Sequence, residues 1–125
     1  MFDYKKPTTQ MLGRWQPWHL GHTELFKKAV AQTGQVAIMV RDVAGIDDDN
    51  PFVLNHVVRE IVDALHLEGF ERNIDYIVQQ VPNITDISYG RGVGYTFTQH
   101  DLGKKIHEVS ATSIRAGMRK NGQLK

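Results

Sequence analysis

The chain has no cysteine, which removes disulfides, zinc–thiolate sites and thiol nucleophiles together. It also has almost no net charge, +1 with histidine neutral. That argues against a broad electrostatic grip on DNA, RNA or an anionic membrane, so neither a nucleic acid nor a membrane is expected as a partner. No hydrophobic run approaches the length needed to cross a bilayer, and the opening "MFDYKKP" has no apolar stretch of the kind found in signal sequences. These absences point to a cytoplasmic protein. Any anion it binds must be met by a few placed groups.

What is present is ordinary for a folded domain. A length of 125 residues, 41% hydrophobic and 23% charged, suits a single domain over residues 1–125 that buries its own core. The segment "TTQMLGRW" is short and glycine-containing, as a first strand feeding a loop would be. From residue 21 to 33, Leu25, Phe26, Ala29 and Val30 recur at helical spacing, and Gly34 stops the run. "QVAIMV" is a continuous, β-branched run that fits a strand covered on both faces. Beyond a polar loop and Pro51, the apolar stripe from Val53 to Leu65 is the clearest amphipathic helix of the chain. "DYIVQQV" predicts another strand, "GYTFTQ" a short one and "KIHEV" a last one, and "SATSIRAGMRK" a helix opened by a hydroxyl cap. This alternation predicts an α/β protein, a three-layer α/β/α sandwich around a mostly parallel sheet with right-handed crossovers. Ligands in such folds sit at the carboxyl ends of the strands.

Two predicted strand-to-helix junctions carry the chemistry. The first is "GRWQPWHLGH", residues 13–22, which holds both tryptophans and two of the six histidines. His19 and His22 are three apart at a helix entry and can point to one side. Gly21 between them lets a ligand approach the backbone. Unpaired N–H groups and the positive end of the helix dipole make such an entry an anion site. Two imidazoles there can donate to phosphate oxygens, with a protonation state that matters near neutral pH. One competing reading is zinc, for which no third ligand is suggested by spacing, so no metal ligand is assigned. Another is that the histidines only cap the helix while Trp15 and Trp18 fill the core. The second junction is "EVSATSIR". Ser110 and Thr112 offer hydroxyls there, and Arg115 offers a permanent cation whose fork fits phosphate.

These residues resemble the signatures of the nucleotidylyltransferases: "GRWQPWHLGH" is similar to "GRFQPFHxGH" and "VSATSIR" to "ISSTxIR", in the same order and roughly ninety residues apart. "NPF" and "YIVQQVPNI" further resemble segments of archaeal-type nicotinamide-mononucleotide adenylyltransferases. The resemblance implies a Rossmann-like fold and transfer of a nucleoside monophosphate, AMP from ATP in the favoured case, to a small phosphorylated acceptor with release of pyrophosphate. Mg²⁺, bound mainly through the triphosphate, is the implied cofactor. By position, His19, His22 and Arg115 would be catalytic. Gly13, Arg14, Trp15, Gln16, Gly21, Ser110, Thr112 and Ser113 would surround the nucleotide. Ala111 stands where the family has a second serine, and the stretch from 84 to 109 is shorter than in the adenylyltransferases. A cytidylyltransferase using CTP and a non-catalytic nucleotide-binding module remain as alternatives.

For the acceptor, Arg41 at the end of a predicted strand is placed to meet an anion, unless it pairs with Asp42. Gly90 and Arg91 in "YGRGVGY" can form a backbone cradle, or only a turn. Asp47, Asp48 and Asp49 read as a solvated loop rather than a metal cage. A homo-oligomer stays open, with no interface fixed by the sequence. His56, His66, His100 and His107 receive no role.

Overall fold

The computed structural model describes residues 1–42, 52–91 and 94–100. Within them the chain runs β1 (Thr9–Gly13), α1 (Leu20–Thr33), β2 (Val36–Arg41), α2 (Leu54–Leu67) and β3 (Tyr76–Val81). The three strands form one parallel sheet in the order β1-β2-β3. Each parallel step needs a crossover, and each crossover contains a helix. The architecture is therefore α/β with a parallel sheet. The predicted strand at 105–109 and the helix at 110–120 lie outside the described residues.

The register aligns the core. Met11 pairs with Ile38, which pairs with Val78, and Val36 pairs with Tyr76. Because side chains alternate along a strand, Val36, Ile38 and Val40 share one face, and all three are buried. Helix α2 offers this core Val57, Ile61 and Leu65, four residues apart and buried. Helix α1 offers Phe26 and Ala29. Phe26 meets Phe70 and Tyr76 edge-on at 4.9 and 5.6 Å, and Lys27 pairs with Glu68 at 3.1 Å. Both helices thus lie on the same side, as two right-handed crossovers stepping in one direction require. On the other face Ala37 is buried, while Leu12, Met39, Ile77 and Val81 are half-buried.

Local signals set the boundaries. Gly34 ends α1 in the left-handed region at φ 91° and donates its N–H to Val30, a glycine C-cap. The buried Gln35 amide then ties down the amino terminus. Its Nε2 donates to Asp3 O and Thr8 Oγ1, and its Oε1 accepts from Asp3 N. One expectation is corrected: "GYTFTQ", residues 94–99, is not a strand but irregular. There Tyr89 stacks on Phe97 at 6.0 Å, and Thr98 and His100 contact Gln32 of α1. Among the described residues no strand pairs with it, so the β-propensity of its aromatic residues has nothing there to act on.

Burial sets the stability cost of three substitutions. Ile61→Ala removes a side chain with no exposure and should cost about 2–5 kcal/mol in urea unfolding. Leu67→Ala, at a residue 86% exposed, should stay within about 0.5 kcal/mol. The Tyr76 hydroxyl is buried with no hydrogen-bond partner among the described residues, and burial pushes its pKa up to about 12. Tyr76→Phe removes that unsatisfied group, so it should preserve stability or raise it by up to about 1–3 kcal/mol. A Tyr76→Phe protein less stable than wild type would show that the hydroxyl is held by a partner.

Candidate functional site

Residues 13–22 leave the carboxyl end of β1 and enter α1. Gly13 is required by what lies above it: a Cβ there would sit 2.9 Å from the Trp15 ring carbons. Trp15 adopts φ 55°, in the left-handed region, and its Nε1 donates to Met39 O of β2 at 3.1 Å. Trp18 Nε1 donates to Thr23 Oγ1 at 2.8 Å. Both tryptophans are 7% exposed and belong to the hydrophobic core. Gln16 is equally buried, and its amide grips the backbone of Phe52 from both sides, Nε2 to Phe52 O at 3.0 Å and Phe52 N to Oε1 at 2.9 Å. Trp15 and Gln16 therefore shape the loop from inside.

The two histidines are locked to each other. His19 is the N-cap of α1, and its Nδ1 accepts from Gly21 N at 3.0 Å. His22 Nδ1 accepts from His19 N at 3.1 Å. The rings stack with centroids 3.6 Å apart. On its other side His22 is enclosed by Trp15 at 4.8 Å and Trp18 at 5.3 Å. The sequence reading that gave the histidines a capping role and the tryptophans a core role thus describes part of what the loop does.

The cap has an electronic consequence. A backbone N–H can only donate, so both Nδ1 atoms must be bare, and in the neutral rings the proton sits on Nε2. Among the described residues neither Nε2 has a hydrogen-bond partner. Burial, and then the neighbouring charge of His19, push the His22 pKa down to about 3. Burial lowers that of His19 as well. The pair therefore presents two neutral N–H donors, and the protonation near neutral pH expected from the sequence does not apply to His22. The Gly21 N–H, expected to be open to a ligand, is taken by His19 Nδ1.

Arg41 lies at the carboxyl end of β2, one residue past Val40, the partner of Gly13. It does not pair with Asp42. Its Nη2 donates to Asn83 Oδ1 at 2.9 Å, while Asp42 Oδ2 accepts from Gln80 Nε2 at 3.0 Å. Asn83, just past β3, escaped the sequence reading, and only its place after "QQVP" hinted at it. Gly90 and Arg91 form an exposed bend, with no hydrogen bond or ion pair to the 13–22 loop among the described residues. Arg14 is half-buried beside Gly13. Ser110, Thr112, Ser113 and Arg115 lie outside the described residues, as do Asp47, Asp48 and Asp49. Among the described residues no group of three or more His, Asp or Glu is placed to hold a metal ion, and no helix is long and apolar enough to cross a membrane.

No protein-family model matches the chain, and no curated protein sequence matches it significantly.

The cap fixes a titration. An unfolded His22 takes up a proton near pH 6.5, whereas the folded one resists until about 3. The stability contributed by neutral His22 is thus fully present above pH 6.5 and is lost as pH falls from 6.5 toward 3. Nitrogen-15 NMR of the rings should show His22 as the Nε2–H tautomer at pH 5. A folded-state midpoint between pH 6 and 7 would contradict the cap.

Proposed function

We propose that the chain is a nucleotidylyltransferase that moves a nucleoside monophosphate, AMP from ATP in the favoured case, onto a small phosphorylated acceptor. The observation that carries this reading is the reciprocal His19–His22 cap. It leaves two preorganised N–H donors at the start of a helix that follows the carboxyl end of β1, the end of a parallel sheet where anionic ligands of α/β proteins bind. The resemblance of "GRWQPWHLGH" and "VSATSIR" to the family signatures supports it independently. The reading carries with it a three-layer, Rossmann-like sandwich in which the later strand and helix complete the pocket.

The chemistry suits such residues. An oxygen of the acceptor's phosphate attacks the α-phosphorus in line, the bond to the bridging oxygen breaks, and pyrophosphate leaves with that oxygen. No covalent enzyme intermediate is needed, so the protein aligns the partners and neutralises developing charge. The His19 and His22 Nε2–H groups donate to oxygens around the α-phosphorus. Being neutral, they need no proton from solvent to do so. Gly13 and Arg14 line the loop, and Gly21 keeps the helix start free of a side chain. Ser110, Thr112, Ser113 and Arg115 hold the outer phosphates. Mg²⁺ carried by the triphosphate supplies further charge neutralisation when bound. In this reading the protein works in the cytoplasm on small molecules.

The test is a pyrophosphate-release screen crossing ATP and CTP with phosphorylated acceptors and sulfate, with Mg²⁺ present. Turnover with CTP alone would make it a cytidylyltransferase, and ATP binding without turnover on any acceptor would make it a binding module. Within an active pair, His19→Ala and His22→Ala should each lower kcat by about 10²–10³-fold, the scale for one preorganised donor. His22→Asn separates the two jobs of the ring. The asparagine Oδ1 can still accept from His19 N, whereas the outer donor is gone. It should keep most of the stability lost in His22→Ala while sharing its low kcat. A fully active His22→Asn enzyme would remove the imidazole from the chemistry.

A further inference from the structure

We infer that Arg41 and Asn83 form a second, separate oxyanion subsite that takes the phosphate group of the acceptor. The inference rests on the nucleotidyl-transfer reading for the identity of that phosphate, but the subsite itself stands on its own geometry.

Three observations carry it. First, Arg41 has no counter-charge among the described residues. Among the described residues no carboxylate pairs with it, and its Nε is buried with no hydrogen-bond partner. An arginine N–H withdrawn from water normally finds an acceptor, and a charged one most of all. Second, the fork is held in place. Asn83 Oδ1 accepts from Nη2 at 2.9 Å, which orients the guanidinium and leaves the Asn83 amide N–H₂ available as a further donor. The adjacent carboxylate is kept away: Asp42, the residue just past β2, is held at 3.0 Å by Gln80, whose register partner Val40 precedes Arg41 and points to the other face of the sheet. Third, the place is right. Arg41 ends β2 one residue beyond Val40, the partner of Gly13, so it begins about 5 Å, one strand spacing, from where the histidine loop departs.

A planar guanidinium with free N–H groups and a neighbouring amide favours an oxyanion that offers several acceptor atoms, and a phosphate monoester fits better than a carboxylate. Held there, such a phosphate would have two oxygens neutralised and a third left to attack. His19 and His22 would serve the donor nucleotide, and Arg41 with Asn83 the acceptor.

Isothermal titration with inorganic phosphate, in the absence and presence of saturating Mg·ATP, tests this. The wild type should bind phosphate in both conditions. Arg41→Met should weaken phosphate binding by about 10–100-fold, the loss of a charge-assisted contact, and leave ATP affinity within about twofold. Asn83→Ala should weaken it less, and Arg41→Lys should fall between wild type and Met. Circular dichroism of each variant checks folding. Wild type without phosphate binding at millimolar concentration, phosphate displaced by ATP, acetate binding equally well, or Arg41→Met binding like wild type would each overturn the subsite. Arg41-dependent phosphate binding in a protein that binds no nucleotide would sustain the subsite and overturn the transferase reading instead.

Discussion

Everything distinctive in this structure depends on a pair of hydrogen bonds between two histidines and the backbone that carries them. A helix start has amide hydrogens that need acceptors, and side chains such as serine or aspartate usually provide them. Here imidazole does so, reciprocally: His19 Nδ1 takes the Gly21 N–H, and His22 Nδ1 takes the His19 N–H. A serine cap would have satisfied the backbone equally well. Imidazole differs in that satisfying it on one ring nitrogen decides where the proton sits on the other. Folding of the helix start and selection of the tautomer are a single event.

The rest of the loop maintains that geometry. Trp15 folds back over Gly13 and is anchored on Met39 O, Trp18 is anchored on Thr23, and between them they enclose His22. Gln16 reaches across 36 residues to Phe52, so the loop is fixed to the residues leading into α2 as well as to the sheet. Such bulk around one ring has two effects at once. It removes water, which holds His22 in the neutral form, and it prevents the ring from rotating off its cap. The aromatic residues in this loop are better understood as the setting of the histidines than as contacts for a ligand.

Much of the scaffold could be read from the chain. The apolar run of β2 and the four-residue stripe of α2 are strong periodic signals, and Gly34 marks the end of α1 because only a left-handed residue closes a helix that way. The position of the histidine pair at a strand-to-helix junction followed from the same pattern. The cap did not, since spacing places two rings on one side of a helix but is silent on which nitrogen faces the backbone. The Gln16–Phe52 link joins segments with no local relation. Whether Arg41 pairs with Asp42 was open in the sequence, and the partners across the sheet decide it: Arg41, the last residue of β2, bonds Asn83, while Asp42 just past it bonds Gln80. "GYTFTQ" misled because β-branched and aromatic composition makes a strand only with a partner beside it, and none of the described strands pairs with it.

The carboxyl edge of the sheet also sorts its charges in a telling way. The histidines near the end of β1 are kept neutral by burial, while Arg41 at the end of β2 is a guanidinium cation whose Nε–H has no acceptor among the described residues. A neutral donor and a cation act differently on an anion. The neutral N–H attracts weakly in the ground state and gains as charge accumulates on the oxygen it faces, so it favours the transition state over the substrate. The cation attracts an oxyanion strongly at all times, so it suits a group that must be captured and held. If a phosphorus atom changes partners at this edge, the neutral donors belong beside the atom whose charge changes and the cation beside the group that arrives already charged, which is the order in which β1 and β2 present them.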